Sequence, residues 1–184
     1  MVTEVFAPAV LVVLVTFVVA IHAAGWGRGF LFGFVAMFFA AGLPYAILHL
    51  KIRRGVLGDR HITRREQRPV MMTIGLVSIA VGLLVLWMLD APQPLFAVVW
   101  GICAAVVVCL AVTMWRKISI HTACAGGAVA ALAVLVNVWL LLLAPMVALV
   151  GWSRVVLGDH TRAQVVVGGA VGFAVAVLVT SALI

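Results

Sequence analysis

Long apolar runs separated by short polar stretches dominate the chain. Seven runs can be drawn, at roughly 5–24, 29–50, 70–90, 95–115, 119–136, 138–155 and 160–183. A helix needs about 20 apolar residues to cross the hydrocarbon core of a bilayer, and several runs are that long. The pattern therefore predicts an all-α fold: a polytopic transmembrane bundle of six or seven helices, forming a single domain over residues 1–184.

Glycine, proline and asparagine mark the expected reversals between these runs. The stretch 25–29 predicts a tight turn after the first run, and 90–94 predicts another after the third. Residues 119–155 are too many for one crossing and suit two short helices that reverse near Asn137. Small residues in the fifth run predict close packing between helices: Gly126, Gly127, Ala130 and Ala131.

The composition indicates an integral membrane protein. The chain is 67% hydrophobic and 9% charged, whereas soluble domains are nearer half apolar. The net charge is +7, and the basic residues that produce it fall in the loops expected beside the membrane. Anionic headgroups or a phosphorylated lipid are better partners for them there than nucleic acid. Cys103, Cys109 and Cys124 fall inside apolar runs, so we interpret them as small packing residues.

The basic residues sort to one side of the predicted bundle. If all seven runs cross, the loops 51–69, 116–121 and 153–162 share a side. They hold eleven of the twelve Lys and Arg residues, and Arg28 lies on the other side. This sorting favours seven crossings of the cell membrane. Because an excess of Lys and Arg stays inside, these loops are expected at the cytoplasmic face, with the C-terminus outside.

The same three loops contain a constellation suited to phosphoryl transfer. Charged groups beside hydrocarbon are costly and suggest a functional site. One histidine can attack phosphorus and another can protonate the departing oxygen, while Arg and Lys neutralise charge in the transition state. The candidate residues are Arg68, Lys117, Ser119, His121, Arg154, His160 and Gln164.

Helix geometry adds to this hypothesis. His121 and His160 each lie at the expected start of an apolar helix, where backbone N–H groups attract anions. Gln164 follows His160 by four residues, so the two would share a helix face, and the glutamine carbonyl would fix the imidazole tautomer. Since no cluster of carboxylates suits Mg²⁺ or Ca²⁺, we expect a metal-independent mechanism without a cofactor.

The order and spacing of these residues resemble the type 2 phosphatidic acid phosphatase (PAP2) superfamily of membrane lipid phosphatases. That family has K-x6-R-P, then P-S-G-H, then S-R-x5-H-x3-D. Isoleucine replaces the usual Pro and Gly of the second motif here. The resemblance covers roughly 51–172 and implies a core like that of this superfamily and the vanadium haloperoxidases. The matching residues are Arg68, Pro69, Ser119, His121, Ser153, Arg154 and His160.

The resemblance implies a hydrolase acting on a lipid phosphomonoester or diphosphate. His160 would become phosphorylated and His121 would act as general acid, with Arg68, Ser119 and Arg154 holding the phosphate. The stretch 160–168, His-Thr-x-x-Gln-Val-x-x-Gly, is similar to the dolichyl diphosphatase branch. It tilts the expected substrate from phosphatidate towards a polyprenyl phosphate or diphosphate.

Two positions depart from the family pattern. The lysine of the first motif is His61 here, so Lys117, Arg64 or Arg65 would have to supply that cation unless His61 does. The family aspartate is Gln164, which can orient a histidine but stabilises its cation less well.

Simpler and rival interpretations stay open. Ser119 and Asp159 could be helix caps, and Val56-Leu57-Gly58-Asp59 recurs at 156–159 as a similar glycine turn and cap. His22 and His49 would permit a haem protein with two axial histidines. A third possibility is a non-catalytic lipid-binding or transport protein on the same scaffold. The sequence does not determine the oligomeric state, and a homo-oligomer is one possibility.

Overall fold

The computed structural model describes residues 6–55 and 68–184, and only the backbone of Arg68 and Pro69. The described chain is a bundle of apolar helices, several of them long enough to cross a membrane. A π-helical segment, Phe38–Gly42, joins the first two helices, and a 3-10 segment, Val138–Leu143, precedes the sixth. The α-helices are α1 Pro8–Met37, α2 Leu43–Arg53, α3 Arg68–Met88, α4 Gln93–Trp115, α5 Ile120–Leu135, α6 Ala144–Val156 and α7 Arg162–Leu183.

Helix α1 consists of two antiparallel halves. The chain reverses at Gly25, whose φ of +72° lies in the left-handed region that favours glycine. Beyond it, a Cβ at Gly29 would lie 2.6 Å from the carbonyl oxygen of Ala20, and Gly33 packs against Phe17. The predicted turn at 25–29 is confirmed, and the apolar stretch Pro8–Arg53 folds into two antiparallel segments that are each long enough to cross a membrane.

The division that the sequence placed near Asn137 is also confirmed. Helix α5 ends at Leu135, and the Asn137 side chain accepts a hydrogen bond from the Trp139 N–H at 3.0 Å. Helix α6 then runs back along α5, because a Cβ at Gly151 would contact the Thr122 side chain in the first turn of α5. The end of α6 therefore lies beside the beginning of α5.

The closest helix–helix approach joins α5 to α7. Gly126 faces the carbonyl of Gly169, and Gly172 faces the carbonyl of Ala123, so closely that any Cβ would overlap these oxygens. Such contacts require residues without side chains. The sequence pointed to the small residues of α5, but their glycine partners in α7 were not singled out. This interface brings the first turns of α5 and α7 together.

The bundle has two chemically different ends. Helices α2, α4 and α6 end and helices α3, α5 and α7 begin at one end of the bundle, where Lys117 contacts Asp159. We call it the cationic end after its described basic residues, among them Arg53, Arg116 and Arg162. The opposite end bears the reversals at Gly25, 89–92 and 136–143. Exposed tryptophans mark both ends, as in the aromatic belts at membrane interfaces. They are Trp115 and Trp152 at the cationic end, and Trp26, Trp87 and Trp139 at the opposite end; a further exposed tryptophan, Trp100, lies within α4.

Candidate active site at the cationic end

Two long-range hydrogen bonds join the segment before α5 to the turn before α7 and to the first turn of α7. The ammonium of Lys117 donates to the backbone carbonyl of Asp159 at 2.6 Å. The backbone N–H of Ser119 donates to the carbonyl of Gln164 at 3.4 Å. The candidate residues of the second and third motifs are therefore neighbours in space, although some 40 residues separate them along the chain.

Arg154 is the most unusual of these residues. It lies in the last turn of α6 and is only 6% exposed. One guanidinium nitrogen, Nη2, lies 2.8 Å from a carboxylate oxygen of Asp159. Its Nε–H is buried and has no hydrogen-bond partner among the described residues. Because an unsatisfied buried donor on a charged group is costly, the arrangement suits an anion that would accept from this nitrogen.

A glycine turn brings the Asp159 carboxylate back onto Arg154. Gly158 has a φ of +71°, and the N–H groups of Asp159 and His160 both donate to the Arg154 carbonyl, at 3.1 and 3.3 Å. This left-handed glycine ends α6 in a common way. The glycine turn is as predicted, but the interpretation of Asp159 as a helix cap is wrong. The residue that caps α7 is Thr161.

The hydrogen bonds around Gln164 determine the tautomer of His160. His160 Nδ1 lies 3.1 Å from Gln164 Oε1, and the same oxygen accepts the Thr161 N–H at 3.2 Å. An atom that accepts from a backbone N–H is the amide oxygen, so Nδ1 must be the nitrogen that donates. The lone pair of the neutral ring then lies on Nε2.

The contact between His160 and Gln164 does not arise from the shared helix face that the sequence predicted. His160 precedes the Thr161 cap, so it lies just outside α7 and does not share a helix face with Gln164. The Thr161 hydroxyl accepts from the Gln164 N–H at 3.3 Å, which completes a capping box. That box turns the glutamine carbonyl back towards the imidazole. The Thr-x-x-Gln pattern was the sequence signal for it, and it went unused.

Ser119 and His121 lie at the other side of the same junction. Ser119 is fully buried and caps α5, its hydroxyl oxygen accepting from the Thr122 N–H at 3.5 Å. The predicted cap is therefore present, and it still leaves the hydroxyl hydrogen to donate. His121 follows in the first turn of α5 and is half-buried, as His160 is.

The remaining candidate cations are placed less fully. Lys117 is exposed at the rim of the junction, and the backbone of Arg68 begins α3 at the cationic end. His61, Arg64 and Arg65 lie outside the described residues, as does the first copy of the glycine turn at 56–59. Which residue replaces the first-motif lysine stays a prediction.

The rival haem site does not assemble within one chain. His22 lies three residues before the reversal at Gly25, at the opposite end, whereas His49 lies near the cationic end of α2. The helical path from Trp26 to His49 is about 35 Å at 1.5 Å per residue, so the two rings cannot ligate one iron. Within residues 6–55 and 68–184, no three His, Cys, Asp or Glu side chains converge.

An apolar cavity of about 320 Å³ lies inside the bundle and reaches the start of α5. It is bordered there by Ile120, Ala123 and Cys124, and across from them by Tyr45 of α2 and Met71 of α3. The volume is near the lower limit for small-molecule sites, and the apolar lining suits a hydrocarbon chain.

No family model, curated protein or solved structure matches the chain. The likeness to the lipid phosphatases therefore rests on the motif residues and their spacing.

Proposed function

We propose that the protein is an integral membrane lipid phosphatase that works through a phosphohistidine at His160. The observation that supports this best is the buried Arg154 guanidinium, whose Nε–H lacks a partner among the described residues. His160, whose Nδ1 is hydrogen-bonded to Gln164, follows it in the sequence by six residues. A membrane protein bears the cost of such a group where an anion completes its hydrogen bonds. The phosphate of a lipid headgroup is an anion that arrives at this depth.

In the first step, the lone pair on His160 Nε2 attacks phosphorus while the bond from phosphorus to the lipid oxygen breaks. His121 gives a proton to the departing oxygen, so the lipid leaves as an alcohol or, from a diphosphate, as a monophosphate. Arg154 neutralises charge on the equatorial phosphate oxygens. Ser119 and Arg68 are the further phosphate ligands that the motif pattern assigns.

In the second step, water attacks the phosphorus of the phosphohistidine and the P–N bond breaks. His121, now neutral, takes the proton from the water, and His160 leaves as the free base. The hydrogen bond from Nδ1 to Gln164 holds the ring in one orientation through both steps. Each histidine thus returns to its starting state, and the reaction needs no metal or cofactor.

The substrate would be a phosphorylated lipid with one hydrocarbon chain near the site. The apolar cavity beside Ile120 suits a hydrocarbon chain, and we take a polyprenyl phosphate or diphosphate as the preferred substrate over phosphatidate. This preference agrees with the resemblance of 160–168 to the dolichyl diphosphatase branch.

Phosphate release from a panel of lipids tests the proposal. Purified protein in detergent would be given a polyprenyl diphosphate, a polyprenyl monophosphate, phosphatidate and phosphatidylglycerol phosphate. We expect release from at least one prenyl lipid, and its loss in His160→Ala. Lipid binding without release from any of the four would favour the non-catalytic lipid-binding or transport alternative.

We also propose that the site faces the cytoplasm. Even without Arg68, Lys117 and Arg154, the sequence ranges 51–69, 116–121 and 153–162 contain eight basic residues, against one in the rest of the chain. Single cysteines at Arg54 and beside Arg28, in a variant without the native three, would report the orientation in intact cells. We expect a membrane-impermeant thiol reagent to label only the cysteine near Arg28. Labelling confined to the position of Arg54 would invert the topology.

A further inference from the structure

The two partners of the ion pair between Arg154 and Asp159 differ sharply in exposure. The Arg154 side chain is 7% exposed, whereas the Asp159 side chain is 43% exposed. The guanidinium is held in place by its burial, but the carboxylate can return to water by rotating about its own side-chain bonds. Of the two partners, the aspartate is therefore the one that can leave.

The carboxylate uses only part of what Arg154 offers. A guanidinium has five N–H donors in a planar fork, and a phosphate binds best when it takes two of them side by side. Asp159 contacts Nη2, and the neighbouring Nε–H is buried without a partner among the described residues. A phosphate that accepts from both Nε and Nη2 would need the position that Asp159 now shares.

We propose that Asp159 is a built-in competing anion that occupies Arg154 when the site is empty and yields to the phosphate of the substrate. The inference rests on the proposed function, since it concerns the same anion site. The carboxylate keeps the buried guanidinium partly neutralised between turnovers. The same competition weakens the binding of inorganic phosphate and so helps the second product to leave.

The contacts of the backbone explain how the carboxylate can move without unfolding the turn. The Lys117 ammonium binds the carbonyl of Asp159, and the N–H of Asp159 binds the Arg154 carbonyl. These bonds hold the main chain at 158–160 in place, whichever direction the side chain takes. Displacement therefore costs the ion pair alone.

A positioning role for Asp159 would have the opposite consequence. If the carboxylate served chiefly to aim the guanidinium at the substrate, its removal would weaken phosphate binding. If it competes, its removal strengthens binding. The sign of the change in phosphate affinity thus separates the two roles.

The expected size follows from how often the arginine is occupied. An apparent dissociation constant rises in inverse proportion to the fraction of protein that is competent to bind. A pair with one partly exposed partner is only moderately stable, so we take Arg154 to be available about a tenth to a third of the time. Removing the competitor should then lower the dissociation constant for phosphate about threefold to tenfold.

The test compares Asp159→Asn with Asp90→Asn in the full-length protein in detergent. Asp90 lies in a turn at the opposite end with a φ of +53°, which asparagine tolerates well, so this control removes the same charge far from the site. Binding of inorganic phosphate is measured by calorimetry, and its inhibition of lipid hydrolysis is measured in parallel. We expect about threefold to tenfold tighter phosphate binding in Asp159→Asn and no change in Asp90→Asn.

A double-mutant cycle shows whether the effect acts through Arg154 and not through the general loss of negative charge. In an Arg154→Gln background, Asp159→Asn should no longer tighten phosphate binding. The same gain in both backgrounds, or weaker or unchanged binding in Asp159→Asn alone, would overturn the inference. If the wild-type protein bound phosphate without hydrolysing any lipid, the proposed function would fail while the binding test of Asp159 stood. If it bound no phosphate, Asp159 would have nothing to compete with and the inference would fall.

Discussion

The two ends of the bundle are closed in different ways. At the cationic end, hydrogen bonds between separate loops hold those loops together, as where Lys117 binds the carbonyl of Asp159. At the opposite end, the reversals at Gly25, Asp90 and Asn137 are made within their own turns. Among the described residues there, a single side-chain hydrogen bond, from the Gln93 amide to the Leu183 carbonyl, joins separate helices. Gly25 and Asp90 supply left-handed backbone, and Asn137 caps the segment that follows it.

One arginine at each end illustrates the difference in burial and pairing. Arg154 is buried, paired with Asp159 and left with one N–H to satisfy. Arg28, at the opposite end, lies over the ring of Phe32 at 5.3 Å, a contact that an interfacial arginine makes without losing water. A chain reversal such as the one at Gly25 does not require a buried guanidinium like that of Arg154. This difference supports the proposal that the cationic end binds a ligand.

The largest expected difference between the ends concerns their histidines. His160→Ala should lower turnover by more than about a thousandfold, because it removes the nucleophile. His121→Ala should cost about a hundredfold to ten-thousandfold as the general acid is lost. His22→Ala, at the opposite end, is the matched control and should hydrolyse lipid at the wild-type rate. Steady-state phosphate release checks all three, and substantial activity in His160→Ala would remove the nucleophile assignment.

The arginines give the next comparison. Arg154→Lys keeps the charge but loses the Nε–H and the planar fork, so kcat/KM should fall about a hundredfold, or roughly 2.7 kcal/mol. Arg28→Lys should leave kcat/KM unchanged. Melting temperatures in detergent would confirm that both variants are folded. A folded Arg154→Lys protein with full activity would show that the buried guanidinium is structural.

The glycine contacts between α5 and α7 connect the middle of the bundle to the cationic end. Gly172→Ala would overlap the carbonyl of Ala123 and should lower the free energy of unfolding by about 1–3 kcal/mol. Gly75→Ala is the control, because a Cβ there meets no atom within 4 Å. It should be neutral or slightly stabilising. Equal stabilities of the two variants in a denaturant titration would show that the interface can adjust to a methyl group.

The smallest expected effect is that of Lys117. Lys117→Ala should lower kcat/KM about tenfold, or about 1.4 kcal/mol, since its ammonium holds the turn at Asp159 and adds positive charge. Arg162→Ala, an exposed change on the same end, should cost less. If Lys117→Ala proved neutral and His61→Ala severe, the histidine at the first-motif position would be the missing cation.

The helices could be predicted from the sequence because each depends on local information. Apolar runs of membrane length end where glycine, proline or asparagine can reverse the chain, as at Gly25 and Asn137. Helices α3, α4, α5 and α7 have bounds within a few residues of the predicted ones. The second predicted run, 29–50, is instead divided by the π-helical segment between the second half of α1 and α2, and the sixth run begins with the 3-10 segment before α6. Close packing of α5 was expected from its small residues, but the choice of α7 as the partner depends on how the helices assemble.

The site could be predicted only in part. Motif order brought His121 and His160 to one end, but it did not show which groups contact one another. Asp159 has the sequence appearance of a cap, and its pairing with Arg154 depends on the left-handed Gly158 that turns the chain back. The bond from His160 to Gln164 similarly depends on a capping box and not on a shared helix face.

Trapping the covalent intermediate tests the central claim most directly. Purified protein would be mixed with a polyprenyl diphosphate carrying a radiolabelled terminal phosphate and quenched in alkali, in which phosphohistidine survives, while a second sample is treated with acid. We predict an acid-labile, alkali-stable label on wild-type protein that maps to His160 and is absent from His160→Ala. Full lipid turnover without any trapped label, or the same label retained in His160→Ala, would contradict the account.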